Sequence, residues 1–374
     1  MKIAFIGQKG IPVSFGGVEY HVDRLSRWLV KLGYSVDVYV RRWYTNKEIK
    51  FYDGVRLIHL PSLRTKHLDA STHSLFCSLH ATLRNYDLIH YHAIGPSLFC
   101  FLPWLSGKKI VVTVHRLDWK TEKWGKMAKL FLKLGEYVSI KIPHRTIVVS
   151  KELKNFFLEK YGKETVLIPN GIDCPTIRNT NLINKKYGLK EGKYILFMGR
   201  LVPEKRVDWL MKAYQSLKNQ DKEFEEIKLV IAGGPSGSGD YLKKLKRISR
   251  QDPSIIYTGF VSGKEKEELL SNALIFVLPS YLEGFPIALL EAKSYGLCCL
   301  VSDISPHREV VHDGIDGALF EAYNFLSLVH RLKELLINPQ RVKEMGKKGK
   351  EEMKNRLDWD DVARKTHQVY QGII

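Results

Sequence analysis

Short apolar runs alternate with longer amphipathic stretches along most of the chain. The runs are rich in β-branched and aromatic residues, and continuous apolar strands separated by amphipathic helices predict parallel sheets covered by helices on both faces. The predicted strands are KIAFIG (2–7), SVDVYV (35–40), LIHY (88–91), KIVVTVH (109–115), RTIVVS (145–150), TVLIPN (165–170), YILFMGR (194–200), IKLVIAG (227–233), SIIYTG (254–259), ALIFVLPS (273–280) and LCCLVS (297–302).

A polar stretch, IRNTNLINKKYGLKEGK (177–193), separates the two series of strands and predicts two domains. The predicted fold class is α/β, with two doubly wound Rossmann-like domains that face each other across a cleft at the carboxyl ends of their strands. The predicted boundaries are an N-terminal domain over 1–178, a linker over 179–193, a C-terminal domain over 194–356 and a last helix within 357–374.

Composition narrows the class of protein. Hydrophobic residues make up 44% and charged residues 26%, which is typical of a globular protein and argues against disorder. The net charge is +19, of which residues 1–178 carry +14 and the remainder +5. This asymmetry favours an anionic partner, either membrane lipid, nucleic acid or a phosphorylated substrate. Nucleic acid is disfavoured because the basic residues are scattered and no recognised binding motif is present.

Cysteine usage and apolar run lengths indicate the compartment. Five cysteines with no CxxC spacing argue against a disulfide framework and a zinc site, so a reducing cytoplasm is expected. The start MKIAFIGQKG does not resemble a signal peptide. The most apolar stretch, 93–105, is too short to span a bilayer, which needs about 20 residues. A buried helix is the favoured interpretation, and docking on a membrane is the alternative.

The first predicted strand leads into the loop GQKGIPVSFGGVEYH, where Gly16 and Gly17 precede a helix. Glycine lets a ligand approach the backbone, and the amides at a helix start attract anions. The loop lacks the GxGxxG dinucleotide pattern and the GK[ST] of a phosphate-binding P-loop. A donor-binding loop and a simple tight turn therefore both remain open.

In the second series, GRLVPEK places Arg200 and Lys205 between a strand and a helix. Two cations at a strand end can hold a diphosphate, and a solvated helix cap is the alternative. PSYLEGFPIALLEA (279–292) follows a later strand, and its amides at Gly284, Phe285 and Ile287 can form a nest for phosphate.

Two glutamates in the same segment are candidate sugar ligands. The carboxylate of Glu283, in the loop, can accept hydrogen bonds from sugar hydroxyls. Glu291 follows on an apolar helix, where a carboxylate can accept both hydroxyls of a ribose. Because its neighbours are apolar, a solvated helix face is the weaker interpretation of Glu291.

From residue 3 to its end the chain resembles the retaining glycosyltransferases of the GT-B fold, family four (glycosyl transferases group 1). The spacing of Glu283 and Glu291 is similar to that family's E-x7-E signature, and the head KGIPVSFGGVE is similar to a bacterial rhamnosyltransferase-like subgroup. The motifs that carry the resemblance are GGVE (16–19), PNGID (169–173), GRLVPEK (199–205), TGFV (258–261) and PSYLEGFPIALLEA (279–292).

The resemblance implies a role for each matching residue. Arg200 and Lys205 would grip the diphosphate, Glu291 the ribose and Glu283 the hydroxyls of the transferred sugar. The backbone of Val261 would contact the base. His115 would approach the sugar, although Arg116 departs from the small or acidic residue usual after it. The N-terminal domain would bind the acceptor, the C-terminal domain the donor, and the last helix would return to the N-terminal domain.

The expected activity is metal-independent transfer, with retention, from a nucleotide diphosphate sugar to a lipid-linked or oligosaccharide acceptor. No cofactor and no metal site are expected, and the string of Asp358 and Asp360 is interpreted as a helix cap. A sugar phosphorylase or nucleotide-sugar epimerase of the same plan is the alternative function. A nicotinamide oxidoreductase is disfavoured because GxGxxG is absent.

Two stretches combine aromatic and basic residues, RRWYTNK (41–47) and HRLDWKTEKWGKMAKLFLKL (115–134). In the second, apolar side chains recur at helical spacing beside lysines, as in a helix that lies in a membrane interface. The sequence therefore predicts peripheral contact of the first domain with an anionic membrane, at the inner face of the cell membrane. The alternative is that the apolar stripe faces the domain core.

Overall fold

The computed structural model describes residues 1–65, 68–234, 239–250, 252–356 and 358–373. The chain forms two compact units, Met1–Gly171 with Leu357–Ile374, and Ile172–Arg356. Among the described residues, every helix is too short or too polar to cross a lipid bilayer.

Unit 1 contains an eight-stranded sheet in the order β3-β4-β2-β1-β5-β6-β7-β8, parallel except for the β3–β4 pair. Its strands are β1 (Lys2–Ile6), β2 (Ser35–Arg41), β3 (Phe51–Tyr52), β4 (Val55–Leu60), β5 (Leu88–His92), β6 (Lys109–Val114), β7 (Arg145–Val148) and β8 (Val166–Leu167). Its helices are α1 (Gly17–Lys31), α2 (Asp69–Thr82), α3 (Ile94–Ser97), α4 (Phe101–Leu105), α5 (Lys126–Lys141), α6 (Lys151–Tyr161) and α15 (Trp359–Gln371).

Unit 2 contains a six-stranded parallel sheet in the order β11-β10-β9-β12-β13-β14. Its strands are β9 (Tyr194–Met198), β10 (Lys228–Ala232), β11 (Ile255–Gly259), β12 (Ile275–Leu278), β13 (Cys298–Ser302) and β14 (Ala318–Phe320). Its helices are α7 (Leu182–Tyr187), α8 (Val207–Gln220), α9 (Asp240–Ser249), α10 (Gly263–Asn272), α11 (Ile287–Ser294), α12 (Ser305–Arg308), α13 (Phe325–Leu336) and α14 (Pro339–Met353). The predicted pair of doubly wound α/β units is thus confirmed.

The units divide between Gly171 and Ile172, earlier than the predicted boundary at residue 178. The segment after Ile172 belongs to unit 2 because its backbone is held there. The amide of Thr176 donates to Tyr295 Oη at 3.2 Å, and the amide of Arg178 donates to Ser271 Oγ at 3.0 Å. The predicted linker contains α7, whose first amides are capped by a carboxylate of α10.

The last helix, α15, packs on α1 in unit 1. Its Tyr370 hydroxyl lies 2.6 Å from His90 Nδ1, and its His367 Nδ1 lies 2.5 Å from the hydroxyl of Tyr34. Asp358 caps the helix by accepting from the amide of Asp361 at 2.8 Å, which confirms its interpretation as a cap.

The apolar stretch 93–105 is only partly buried, which corrects the expectation of a buried helix. Ile94 and Cys100 face the core, whereas Phe101, Trp104 and Leu105 of α4 are exposed. The stretch forms α3, a 3₁₀ turn and α4 in place of one continuous helix.

Candidate active site

The candidate site residues follow the central strands of each sheet. In unit 1 the strand order reverses between β1 and β5, and in unit 2 between β9 and β12. In parallel α/β sheets, ligands bind outside the carboxyl ends of the strands at this reversal. Gly16, Gly17 and His115 lie in unit 1, and the other predicted site residues lie in unit 2.

In unit 1, the loop between β1 and α1 ends at a glycine that the start of α1 requires. Gly16 is the N-cap of α1 with φ 111°, and a Cβ there would lie 1.8 Å from Glu19 Oε2. Glu19 Oε1 in turn accepts from the amide of Lys9 at 3.1 Å and from its ammonium at 3.2 Å. The turn itself therefore requires a glycine at position 16.

Gly17 differs, because no described atom lies within 4 Å of the position that its Cβ would take. Its φ is not positive, so the backbone does not require glycine there. Gly17 is exposed, and the space above it is open.

His115 lies immediately after β6 and belongs to a buried group of histidines. Its Nε2 is 3.2 Å from Nδ1 of His92, which ends β5, and its ring contacts that of His21 on α1 at a centroid distance of 4.8 Å. His21 Nδ1 lies 2.8 Å from Oδ1 of Asn170. Gly7 makes room for the group, since its Cβ would lie 2.1 Å from the carbonyl oxygen of His92.

These imidazoles are uncharged at neutral pH. Burial lowers the pKa of His21 to about 4, although its hydrogen bond to Asn170 acts in the opposite direction. Burial also holds the pKa values of His92 and His115 well below the usual range, and the neighbouring histidines add to the effect. The group can therefore form hydrogen bonds to a neutral ligand without placing a positive charge beside it.

The histidines that accompany His115 were missed by the sequence analysis. His21 lies four residues after Gly17 in the head motif, and His92 ends the strand in HYH. Two histidines on one face of a strand, beside a third at the end of the next predicted strand, are the signal that would have found them.

In unit 2, the loop after β9 carries Arg200, which is half-buried, and Lys205, which is buried in a 3₁₀ turn. Arg206 follows with φ 49° and lies over the rings of Trp209 and Tyr281 at 4.9 and 5.0 Å. These ring contacts hold the end of the turn against both α8 and the loop after β12.

Lys205 forms an ion pair with Glu283, so the structure brings together a predicted phosphate ligand and a predicted sugar ligand. Burial alone would raise the pKa of Glu283, but the charge of Lys205 and its hydrogen bond to the carboxylate lower it below the usual range. Glu283 is therefore ionised at neutral pH, and its carboxylate can accept hydrogen bonds from hydroxyl groups.

His307 was also missed by the sequence analysis. It lies on α12, is fully buried, and its Nδ1 is 2.8 Å from the carbonyl oxygen of Ser302, which can only accept. Burial lowers the pKa of His307 to about 4, so the ring is neutral. Ser302 Oγ donates to the carbonyl of Ser280, which joins His307 to the loop that carries Glu283.

The loop after β12 leads directly into a helix start, as the sequence predicts. Gly284 and Phe285 are buried, Pro286 is the N-cap, and α11 begins at Ile287. The unpaired amides of a first helical turn and the helix dipole both favour an anion at this position.

Glu291 lies on α11, buried, with Oε1 2.5 Å from the ammonium of Lys266 on α10. Lys266 was not singled out in the sequence, because a lysine in the run GKEKEEL is typical of a solvated helix. Val261, which the resemblance places at the base, is buried in the turn between β11 and α10. Its backbone therefore lies two residues before the start of α10, the helix that carries Lys266.

In unit 2, three side chains that could bind a metal ion instead surround the ammonium group of a lysine. His312, Asp316 and Glu352 lie close together, but the ammonium of buried Lys293 bonds to both carboxylates, 2.9 Å from Asp316 Oδ2. This group is an internal ion-pair network.

Comparison with known proteins agrees with this arrangement. Residues 15–175 match the Glycosyltransferase Family 4 model, and residues 179–352 match the model of the glycosyl transferases group 1. An uncharacterized glycosyltransferase of Methanocaldococcus jannaschii is 26% identical, over 99% of this chain and 98% of its own length. The UDP-Gal:alpha-D-GlcNAc-diphosphoundecaprenol alpha-1,3-galactosyltransferase of Escherichia coli is 29% identical, over 75% of this chain and 74% of its own.

Among solved structures, HepE of Anabaena in complex with UDP-glucose has a TM-score of 0.82 at 16% identity and covers 100% of both chains. This likeness supports the predicted GT-B fold class. The relatives named above are transferases, so the alternative of a sugar phosphorylase or nucleotide-sugar epimerase is not favoured. The chain is a glycosyltransferase, whose N-terminal and C-terminal parts match the models of the Glycosyltransferase Family 4 and of the glycosyl transferases group 1.

Proposed function

We propose that the protein transfers a sugar from a nucleoside diphosphate sugar, bound by unit 2, to a lipid-linked or oligosaccharide acceptor. The observation that carries the proposal is the buried pair of Lys205 and Glu283 beside the start of α11. This place offers a cation and helix amides for a diphosphate, and an ionised carboxylate for sugar hydroxyls. HepE, which shares the fold, binds UDP-glucose.

The chemistry we propose needs no metal ion. Negative charge grows on the diphosphate as the glycosidic bond breaks, and Arg200, Lys205 and the first amides of α11 would stabilise it. We further propose that the configuration of the sugar is retained, because the sequence resembles retaining enzymes. Proton NMR of the product during turnover distinguishes retention from inversion at the anomeric carbon.

Calorimetry with a panel of nucleoside diphosphates and their sugars tests the donor. UDP-sugars and, for the rhamnosyltransferase-like subgroup, dTDP-rhamnose are the first candidates. A donor should bind the native protein and bind Lys205→Ala more weakly. Absence of binding by every nucleotide sugar would contradict the proposal. Transfer should also survive EDTA, and loss of activity that Mn²⁺ or Mg²⁺ restores would contradict the metal-free chemistry.

The acceptor we propose is linked to a lipid at the inner face of the cell membrane. Two observations support it. The Escherichia coli relative is named for an acceptor on diphosphoundecaprenol. In addition, unit 1 exposes large apolar side chains on α2 and α4, which contact each other, and on α5, which packs on the 3₁₀ turn between α3 and α4; we call these side chains the apolar layer.

The apolar layer contains Phe76 and Leu79 of α2, Leu83 at the C-cap of α2, Phe101, Trp104 and Leu105 of α4, and Met127, Leu130 and Leu134 of α5. Leu83 is 85% exposed, Leu105 70% and Met127 79%. The buried side of α5 is formed instead by residues such as Leu132 and Ile140. Met127, Leu130 and Leu134 of the predicted stripe therefore face outward, whereas Phe131 is half-buried against Phe99.

Basic residues surround the apolar layer. Lys126, Lys129 and Lys133 lie on α5, Arg84 follows α2 and Lys108 follows α4. An anionic bilayer matches this combination, because acyl chains accept the apolar side chains and each lysine near the headgroups adds about 1 kcal/mol.

Vesicle sedimentation tests the membrane contact. Binding should require anionic lipid, weaken as salt rises, and fall when Lys126, Lys129 and Lys133 are changed to Glu. The matched control changes three lysines of α14 in unit 2, Lys343, Lys347 and Lys348, to Glu, with the same change in net charge. Equal loss in both variants, or equal binding to neutral vesicles, would contradict a specific contact through the apolar layer.

A further inference from the structure

A basic pocket lies in unit 1 between α2 and the edge strands of the sheet. Lys50, Arg56 and Arg84 bring three cations to its walls, and Phe51, which is 66% exposed, lies beside them. The described residues that line the pocket include no carboxylate. A pocket of this kind attracts an anion, and nothing in the proposed sugar transfer accounts for it.

The basic pocket is separate from the places that we propose for the donor. Its strands, β3 and β4, lie at the edge of the sheet, and β2 separates them from β1. Its residues His80 and Arg84 lie where α2 leads into β5, at the amino ends of the strands. The donor ligands follow the carboxyl ends of strands, as is usual in parallel sheets. A ligand of the basic pocket is therefore a different molecule from the donor.

Buried hydrogen bonds hold two walls of the pocket in place. The guanidinium of Arg56 donates to both carboxylate oxygens of buried Asp37, from Nε at 2.9 Å. The hydroxyl of Tyr86 donates to the same carboxylate at 2.6 Å and accepts from the hydroxyl of Tyr39 at 3.4 Å. The Tyr39 hydroxyl also lies 2.8 Å from His80 Nδ1. This chain joins Arg56 on β4 to His80 on α2, so the pocket is organised before a ligand arrives.

The basic pocket retains positive charge that no described carboxylate balances. Asp37 pairs with Arg56 alone among the lining cations, and neither Lys50 nor Arg84 forms an ion pair with a described residue. Burial lowers the pKa of His80, and the charges of Arg84 and Arg56 lower it further. The charge of Asp37 acts in the opposite direction without reversing the shift. A phosphate group in the pocket would offset this excess charge.

The surroundings of the pocket indicate that the phosphate carries apolar chains. His80 follows Phe76 by four residues and Arg84 follows by four more, so they lie in one row along α2 and its end. The exposed Leu79 and Leu83 of the apolar layer lie next to this row. An ion such as free phosphate would use the cations of the pocket and leave these apolar side chains in water.

We propose that the basic pocket binds the phosphate of one anionic phospholipid, whose acyl chains lie against the exposed apolar side chains of α2. Lys50 and Arg84 pair with the phosphate oxygens. Arg56 Nη1, which does not bond to Asp37, is a further donor. The inference rests on the proposed membrane contact and deepens it, because one lipid is bound at a fixed place in addition to the general attraction of the α5 lysines.

Calorimetry with a lipid that stays monomeric tests the pocket without a membrane. Dihexanoyl-phosphatidylglycerol, kept below the concentration at which it forms micelles, should bind the full chain saturably, one molecule to each chain. Dihexanoyl-phosphatidylcholine, which has the same chains and no net charge, should bind more weakly, as should inorganic phosphate. Absence of binding by dihexanoyl-phosphatidylglycerol would overturn the proposal. Equally tight binding of inorganic phosphate would also overturn it, because the site would then be one for a free ion.

Variants locate the bound lipid. Lys50→Gln combined with Arg84→Gln should weaken binding of dihexanoyl-phosphatidylglycerol by about 10-fold or more, as for lost hydrogen bonds between charged groups. Both side chains are exposed, so the variant should keep the circular dichroism spectrum of the native protein. Arg56 is left unchanged, because its loss would leave the buried carboxylate of Asp37 without a cation.

The matched control, Lys126→Gln combined with Lys129→Gln, removes the same charge from α5. It should weaken sedimentation with anionic vesicles and leave binding of the monomeric lipid unchanged. Unchanged lipid binding by the pocket variant, or equal weakening in both variants, would overturn the proposal. If the native protein binds the monomeric lipid but does not sediment with anionic vesicles, the proposed membrane contact is wrong and the lipid site in the basic pocket is supported.

Discussion

The two units share a parallel-sheet plan, yet the chemistry at the carboxyl ends of their central strands differs. Unit 1 gathers neutral histidines, His21, His92 and His115, whose pKa values are lowered by burial. Unit 2 gathers ion pairs, Lys205 with Glu283 and Lys266 with Glu291. One fold therefore supports a buried group of uncharged imidazoles in one unit and buried ion pairs in the other.

This difference fits the roles that we propose for the two units. The cations of unit 2 would meet the diphosphate and the ionised Glu283 the hydroxyls of the transferred sugar, whereas the neutral histidines of unit 1 can form hydrogen bonds without a permanent charge. The carboxylates of unit 2 already bind lysines, so a donor must compete with these pairs for the same oxygens. The histidines of unit 1 present no such competing charge.

The largest expected effect is on stability in acid. The pKa of His21 is about 4 in the folded state and about 6.5 when unfolded, so only the unfolded chain binds a proton between these values. The free energy of unfolding therefore falls as pH drops from 6.5 to 4, by about 3 kcal/mol for His21 alone. Burial lowers the pKa values of His90, His92 and His115 in unit 1 as well. In unit 2, His307 contributes in the same direction, with a pKa of about 4.

We therefore expect unit 1 to lose stability before unit 2 between pH 7 and pH 5. Urea unfolding followed by limited proteolysis and mass spectrometry, at several pH values, reports each unit separately. The variant His307→Gln should reduce the pH dependence of unit 2 only. Equal loss of stability in both units as the pH falls, or an earlier loss in unit 2, would contradict the expected difference between the two units.

The next effect is on turnover. Lys205→Ala should lower kcat by about 100-fold, because a fixed cation beside the leaving diphosphate is lost, and should change donor affinity less. Arg200→Ala should act in the same direction. Steady-state kcat and KM measure both. Lys186→Ala, which removes an exposed lysine of unit 2, is the control and should change neither.

The variant Lys205→Ala also leaves the buried carboxylate of Glu283 without its cation, which destabilises the fold. The double variant with Glu283→Gln should regain stability without regaining turnover. If only KM changed, Lys205 would bind the donor in the ground state alone. If His115→Gln cost as much turnover as Lys205→Ala, the division of roles between the units would be wrong.

Most of the fold follows from the sequence pattern, and the misses have local causes. The eleven predicted strands are all present, usually a residue or two shorter. The hairpin of β3 and β4 was missed because the edge strand β3 has only two residues and β4 is only partly buried, although the Asp53-Gly54 turn is a strong hairpin signal. The strand β14 has three residues, too few for a pattern.

The sequence predicted the site residues only where they lie together in one short segment of the chain. Glu283, the start of α11 and Glu291 lie in one short run of sequence, so their spacing was informative. The partners His92, Lys266 and His307 come from other elements, and only the folded chain shows which residues they meet. Whether a carboxylate faces a ribose or a lysine depends on the neighbouring helix, which periodicity does not identify.

A smaller effect is expected at the ribose. Glu291→Gln keeps the shape of the side chain and removes its charge, so donor affinity should fall by about 1–2 kcal/mol, as for a lost hydrogen bond to a charged group. Calorimetry with the donor measures it. Glu265→Gln on α10 is the control. Unchanged donor affinity in Glu291→Gln would leave Glu291 a structural partner of Lys266.

The smallest effect on the fold, and the sharpest test of unit 1, is expected at Gly17. A Cβ on Gly17 would meet no described atom within 4 Å, and alanine is favoured over glycine within a helix by about 0.5–1 kcal/mol. Gly17→Ala should therefore leave stability unchanged or slightly raised. If a ligand approaches this backbone, the added methyl group must raise KM for donor or acceptor several-fold.

Gly16→Ala is the contrast. The Cβ of the alanine would overlap Glu19, and φ at this position is 111°, so this variant should lose stability. Unchanged kinetics in Gly17→Ala would show that the open space above α1 is not part of the site, and unit 1 would then act through its histidines alone.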